Sequence, residues 1–477
     1  MGLLPIHSIS FHPYRDNIFV TAGQHKFARV WSLSDPGIEK ETNDAPDFIA
    51  QLGRHRCPIN TARFSPFGDM LLTAGDGGEL AVWKCPSVDE PPPQDDEFST
   101  NLEDRHGAPP NKENWRCAAT ATGSKNADFM DAAWSPDERY IIAGSSDASV
   151  SIFHLTFSSA NNLTIQRIKL FNNIHNKFVQ GVATIELYGS FLPLRKTSSP
   201  PPTSPTCSPT SSPRTSSANN LVFEHYTSID SAALYSHPST DPVLTLDPVP
   251  GFPVESKSKL FSSDLVALTF FRRGSWSPDG NLLILPTGQL PPSLVHTSSE
   301  DPVPCAFVFC RSCLSRPTCA LRIGSSPIVA VSFCPILFEV LPVEEGVFAP
   351  KLFNLEYRMV FSIASSRSIA IYDTQHHEPL VLCTNVHPAA ITDMSWSIRK
   401  SGIIDLLISS RDGFLSHIRF DKGELGEVYQ QSKLIDLVES CRRPGDYRAL
   451  FDGLPITGNK RIVNDISGVI KKKKVED

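Results

Sequence analysis

The sequence predicts an all-β fold, a seven-bladed β-propeller, on three observations. A short unit recurs, and its clearest copy runs from Ala132 to Phe153, where Trp134-Ser135-Pro136-Asp137 leads into the apolar run Tyr140 to Ala143. Gly144-Ser145-Ser146-Asp147 then leads into Val150 to Phe153. The runs are short, rich in β-branched and aromatic residues, and bounded by turn residues, which is the signature of antiparallel strands. Degraded copies extend from residue 11 to residue 420, and 477 residues hold seven such units of about 40 to 45 residues as one domain. Forty prolines against five methionines suit a β-rich, loop-rich chain.

The first copy comprises Ile9 to Pro13, Phe19 to Gly23 and Ala28 to Trp31. The second comprises Arg63 to Gly68, Met70 to Gly75 and Leu80 to Trp83, with Gly53-Arg54-His55 upstream. A linker containing Pro91-Pro92-Pro93 and Asp95-Asp96-Glu97 leads through Asn111 to Trp115 into the third copy, Ala132 to Phe153. The fourth begins near His175 and Phe178 to Val182. After Leu192 the chain turns to Ser, Thr and Pro, a composition that cannot bury enough apolar surface to offset ordering entropy. Residues 193–220 are therefore expected to be a disordered insertion in or after blade four, and 221–262 to be weakly ordered. The fifth copy comprises Leu265 to Phe271, Trp276 to Leu285 and Ala306 to Phe309. The sixth comprises Val329 to Pro335, Arg358 to Ala364 and Ile369 to Asp373, and the seventh Ile391 to Ser397, Leu406 to Gly413 and Ser416 to Phe420. The propeller is assigned to 1–426 and a mostly irregular tail to 427–477.

Each copy is a small twisted sheet with two apolar faces that only its neighbours can cover, and closure of the ring removes the uncovered ends. The copies resemble WD repeats, and Asp147, six residues before Phe153, stands where that family places an acceptor that pins the turn between the second and third strands. Asp412 reads as a weaker equivalent, and Gly77 in the second copy predicts a less well tied turn.

A net charge of −7 excludes a chain that binds nucleic acid by overall basicity. No apolar run approaches the roughly 18 residues of a membrane span, and the N-terminus lacks a secretory signal pattern. Ile6 stands where a myristoylation signal needs Ser or Thr. Eleven scattered cysteines fit reduced thiols of a cytosolic or nuclear protein.

Beyond the repeat, several segments resemble a known family, the WD-repeat middle subunit of the chromatin assembly factor, a heterotrimeric replication-coupled histone chaperone. They are Asn111-Lys112-Glu113-Asn114-Trp115, Lys177 to Val182, Phe270-Phe271-Arg272-Arg273, Cys334-Pro335 with Phe338 to Val343, Tyr357 to Phe361, Tyr372 to Gln375 and Asp412 to Gly426. Members of that family open with an additional strand that completes the last blade. Here Met1 to Pro5 precede Ile6, so either Glu427 to Lys433 supplies that strand or the ring is imperfectly closed.

The resemblance implies a non-enzymatic nuclear protein without cofactors, which binds or organises newly made core histones for nucleosome assembly on replicating or repaired DNA. Its implied partners are the large and small subunits of the factor, an anti-silencing-type histone chaperone, and the histone pair that forms the central tetramer. DNA would be met only indirectly and no membrane is involved. A WD-repeat substrate receptor of a ubiquitin ligase, or a generic nuclear scaffold, is the alternative.

Lys460-Arg461-Ile462 resembles the motif by which this family binds the anti-silencing chaperone, through a strand added to the chaperone's sheet edge with cations paired to acids. A solvated basic tail is the other reading, and Arg442-Arg443 is a rival without the Ile. Lys471-Lys472-Lys473-Lys474 reads as a nuclear-import run, a DNA contact or a solvated terminus. Ser199, Ser204, Ser208 and Ser212 each precede Pro and are candidate phosphosites or low-complexity filler. Asp95-Asp96-Glu97, with Glu113, could hold a basic partner or simply stay solvated. Cys310 and Cys313, with Cys305 and Cys319 near, lack the second close pair of a zinc site and read as strand thiols. No metal or cofactor site and no catalytic constellation is expected, because phosphate loop, nucleophile elbow and catalytic His motifs are all missing.

Overall fold

The computed structural model describes residues 4–33, 46–85, 109–157, 163–172, 175, 178–184, 270–290, 303–311, 314, 317–342, 352–353, 355 and 357–429. Among them, 23 strands form six antiparallel sheets. Blade one is β1 Ile6–Phe11, β2 Ile18–Gly23, β3 Phe27–Ser32 and β4 Asp47–Gly53. Blade two is β5 Ile59–Phe64, β6 Met70–Gly75, β7 Glu79–Lys84 and β8 Arg116–Thr122. Blade three is β9 Phe129–Trp134, β10 Tyr140–Ser145, β11 Val150–Phe157 and β12 Leu163–Phe171.

After residues 178–184 comes blade five, β13 Ser275–Trp276, β14 Leu282–Leu290, β15 Val303–Cys310 and β16 Cys319–Leu321. Blade six is β17 Ile328–Glu339, β18 Tyr357–Ser365, β19 Ile369–Asp373 and β20 Val381–Cys383. Blade seven shows β21 Ile391–Ile398, β22 Ile404–Ser410 and β23 Leu415–Phe420.

The first strand of each sheet is innermost. β1 packs on β5, β5 on β9, β17 on β21 and β21 on β1, so the ring closes between blades seven and one. Closure runs through side chains as well: the Ile9 N–H donates to Asp393 Oδ2 at 3.0 Å and the Phe11 N–H to Ser395 Oγ at 2.9 Å. Between blades three and five stands the segment 178–184. The Val179 N–H donates to the Ser145 carbonyl at 3.0 Å, and the Arg272 N–H donates to the Gln180 carbonyl at 3.2 Å. That segment holds the innermost position of blade four, and the rest of the fourth copy, with both insertion assignments, lies outside the described residues.

The strand sequences follow from these positions. β2 and β6, sandwiched between neighbouring blades, are buried at every residue and read as continuous apolar runs. β12 is outermost in blade three, and its Gln166, Arg167 and Lys169 accordingly face solvent.

Three turns share one device. Met70, Tyr140 and Leu282 donate their N–H groups to Ser65, Ser135 and Ser277 Oγ at 3.1, 2.9 and 2.9 Å. The recurrent Ser-Pro is therefore a cap on the second strand. In the second copy Gly68 has φ +80 and sits against the His12 ring, where an added Cβ would come within 2.4 Å.

Two expectations about the other turns are corrected. Asp412 is the more connected acceptor: it takes the Phe414 N–H at 2.9 Å and lies 3.0 Å from His387 Nδ1, while His387 Nε2 lies 2.9 Å from Ser416 Oγ. Asp147 is bonded locally, to the Ser149 N–H at 3.1 Å and Oγ at 2.5 Å. The Gly77 turn is tied from outside its own copy, by Asp128 Oδ1 of the next blade at 2.8 Å.

The first strands run in one direction, as the parallel bridge between Arg273 and Ala330 shows. The segments that enter the first strands, and the turns between second and third strands, therefore share one face, the entry face. The turns after the first strands share the opposite, exit face.

Candidate functional site

Arg273 sits on the ring axis and is buried. Its Nη1 lies 2.8 Å from Asp131 Oδ1 of blade three, and Nη2 donates to the carbonyls of His7 at 3.1 Å and Asn60 at 2.8 Å, in blades one and two. Its Nε lies 3.6 Å from Asp393 Oδ1 of blade seven. Its backbone takes up blade six, through Arg273 N–H to Val329 O at 3.0 Å and Val331 N–H to Arg273 O at 2.9 Å. Asp131 Oδ2 accepts the Val182 N–H of blade four at 3.1 Å. Arg273, through its guanidinium, its backbone and its partners, thus reaches all seven positions of the ring.

Arg63 Nη1 is the second cation of this node, 2.6 Å from Asp393 Oδ2. Burial works against the charge on Asp393, but Arg273 and Arg63 outweigh it and hold the carboxyl below the usual carboxylate range. Phe271 packs its ring 4.5 Å beneath the Arg273 guanidinium and 5.5 Å from the His7 ring. Burial, with the Arg273 charge, pulls His7 down to about 4, so its imidazole is neutral at pH 7. On the exit side an axial cavity of about 580 Å³ is lined by Arg63, Asp131, Val182, Arg273 and Asp393, together with Trp134, Trp276 and Trp396.

A second node lies under blade six. Arg358, almost wholly buried, pairs with Asp373 at 2.8 Å, donates through Nη2 to the Leu425 carbonyl, and lies over the Phe338 ring. Gln375 exchanges hydrogen bonds of 2.9 Å with both the N–H and the carbonyl of Leu341. Glu339 N–H to Glu427 O at 2.8 Å and Tyr429 N–H to Leu337 O at 2.9 Å then add residues 427–429 to the far end of β17. This corrects the alternative in which Glu427 to Lys433 closes blade seven: residues 427–429 pair with blade six, and residues 430–433 lie outside the described residues.

The segment Asn111 to Trp115 fastens blade one to blade two. Asn111 brackets Gln51 through its N–H and carbonyl, at 2.9 and 3.1 Å, and Glu113 bridges Arg15 at 2.5 Å and the Trp115 indole N–H at 2.9 Å. The non-repeat segments are thus joints of the ring.

Cys305, Cys310 and Cys319 are buried, and burial raises the thiols of Cys305 and Cys319; Cys313 lies outside the described residues. Among the described residues no group of three His, Cys, Asp or Glu could hold a metal ion. Nor is any helix there long and apolar enough to cross a membrane. Lys460, Arg461, Ile462, Lys471 to Lys474, Ser199, Ser204, Ser208, Ser212, Arg442-Arg443 and Asp95 to Glu97 all lie outside the described residues.

What sequence reasoning missed is the axial node. Its signal was present, because Asp131, Arg273 and Asp393 each stand three residues before the first-strand tryptophan of their copies, Trp134, Trp276 and Trp396.

Ring, Ser-Pro caps and inter-blade joints define a WD-repeat β-propeller. Residues 47–84 and 115–154 match the WD domain, G-beta repeat, and residues 249–425 match the CAF1B/HIR1 beta-propeller domain. The CAF1B-type polypeptide of chromatin assembly factor 1 from Mus musculus is 30% identical over 91% of this chain and 67% of its own length. The chromatin assembly factor 1 subunit FAS2 homolog of Oryza sativa subsp. japonica is 30% identical over 91% and 74%. The Schizosaccharomyces pombe counterpart of the mouse polypeptide is 29% identical over 90% and 86%. The chain belongs to the CAF1B family of chromatin assembly factor 1 subunits, and its role is in chromatin assembly.

Proposed function

We propose that the chain is the middle subunit of a nuclear chromatin assembly complex that organises newly made core histones for deposition on replicating or repaired DNA. The propeller, residues 1–426, docks the large subunit and is joined by the small one. The tail from 427 recruits an anti-silencing-type chaperone through Lys460, Arg461 and Ile462, and the histone pair of the central tetramer is handed on. Lys471 to Lys474 serve nuclear import, and phosphorylation at Ser199, Ser204, Ser208 and Ser212 adds negative charge to the insertion.

The observation that carries this reading is the match to CAF1B-type relatives over about nine-tenths of the chain. The structure adds a ring whose buried charges are spent on closure, which leaves its faces for partners. Affinity purification from nuclear extract tests it. Recovery of the other assembly-factor subunits supports the reading, and recovery of ubiquitin-ligase adaptors in their place overturns it. Replacing Lys460, Arg461 and Ile462 with Ala and titrating the anti-silencing chaperone tests the tail, where unchanged affinity refutes the motif.

A further inference from the structure

The two faces of the ring differ in what they expose. On the entry face, Leu4 precedes β1, Phe178 opens the blade-four segment, Phe270 precedes the Arg273 strand, and Phe414 tips the turn between β22 and β23. They are 42%, 38%, 62% and 58% exposed. Scattered single exposed apolar residues need no explanation. Four on one face, at the entrances of first strands and on one turn, make that face apolar at several of its blades.

The same face is cationic although the chain is net negative. Lys26, Arg56, Lys125, Arg367 and Arg411 are exposed there. Among the described residues of that face, Asp147 is the one exposed acid. The half-buried acids are engaged within the ring: Asp76 with Asn60 at 2.7 Å, Asp128 with the Gly77 N–H at 2.8 Å, and Asp412 with His387 at 3.0 Å. Lys125 is also held at φ 51, in the left-handed region that a side-chain-bearing residue seldom adopts.

The geometry points to the entry face as the docking surface for an acidic protein segment that carries aromatic or aliphatic side chains. The cations attract such a segment and set its register, and the exposed Phe rings bury its apolar residues. DNA would use the cations but leave Phe270 and Phe414 uncovered, so the apolar set favours a protein partner. This assignment deepens the reading of the chain as one subunit of a larger complex and rests on it.

The test uses the full chain and a fluorescein-labelled peptide of Asp and Glu interspersed with Phe and Leu, followed by anisotropy at low salt. Two comparison probes are the same peptide with Ser in place of Phe and Leu, and a short DNA duplex. Phe270→Ser with Phe414→Ser, and separately Lys125→Glu with Arg367→Glu, are expected to weaken the acidic–apolar peptide by about tenfold or more. Lys400→Glu with Lys422→Glu on the exit face is expected to leave it unchanged. All the substituted residues are exposed, and an unshifted thermal melt verifies the fold.

Equal binding by wild type and both entry-face variants overturns the proposal. So does equal binding of the Ser-substituted peptide, or tighter binding of the duplex that ignores the Phe substitutions. Co-precipitation from nuclear extract separates this from the reading beneath it. Wild-type protein that recovers no assembly-factor subunit refutes that reading, while recovery undiminished in both entry-face variants refutes the docking face alone.

Discussion

Arg273 and Asp131 form a buried ion pair of 2.8 Å that joins blade five to blade three across the blade-four position. Two charges removed from water are tolerated only when paired, and removing one partner leaves the other stranded. Arg273→Met strands Asp131, while Asp393 keeps Arg63 at 2.6 Å, and is expected to cost about 3–5 kcal/mol, read as a lowered urea midpoint. Combining it with Asp131→Asn should recover part of that loss, because the remaining carboxylate, Asp393, stays paired with Arg63. A double variant less stable than Arg273→Met alone would refute the node as an electrostatic keystone.

Close backbone approach predicts a different sensitivity at Gly181. A Cβ there would lie 1.9 Å from the Arg272 carbonyl oxygen, and backbone on both sides cannot swing away. Gly181→Ala should lower stability by about 1–3 kcal/mol. Gly324 supplies the contrast, with φ +66 and nothing within 4 Å of an added Cβ, so that Gly324→Ala carries only the left-handed backbone cost of about 1–2 kcal/mol. Thermal melts of the two variants should rank Gly181→Ala below Gly324→Ala.

Two buried carboxyls give opposite pH dependences. Burial and the neighbouring Asp69 carboxylate push Glu138 up from its ordinary 4.5 to about 8, while it accepts the Phe67 N–H at 2.6 Å. Its contribution is fully present below about 4.5 and is lost as pH rises through about 8. Glu138→Gln should flatten that decline in urea midpoints measured across the interval.

Asp405 behaves in the other direction. Burial alone would raise it, but hydrogen bonds from His417 and Arg399 and the Arg399 charge hold it down to about 2. Its contribution is present above the ordinary 3.8 and is lost as pH falls through about 2, so Asp405→Asn should blunt acid unfolding. A wild-type profile that matches either variant throughout would refute the corresponding assignment.

The blades were legible in the sequence because each is local: a Ser-Pro cap, a buried run and a turn fall within about 40 to 45 residues. The Ser65, Ser135 and Ser277 caps are readable from spacing alone. The nodes were not, because Arg273 meets Asp131 and Asp393 only after the ring closes, and complementary charge is visible only when inner strands are aligned on their tryptophans. Gly77 misled for the same reason, since Asp128 of the next blade ties its turn. The destination of residues 427–429 could not be read either, because one short strand fits several sheet edges equally well.

That last placement makes two truncations unequal. Ending the chain at Gly426 removes the two backbone hydrogen bonds to Leu337 and Glu339, and at about 0.5–1.5 kcal/mol each the loss should be modest, with the ring intact. Ending it at Phe420 also removes the Leu425 carbonyl and exposes Arg358, which keeps only Asp373 as its charged partner. The second truncation should therefore destabilise blade six far more than the first. Gly426→Ala should fall between them, because at φ +101 an added Cβ would sit 2.6 Å from Arg358 Nη2. Limited proteolysis with urea midpoints would check the order, and equal stability of the two truncations would show that Leu425 does not hold Arg358 in place.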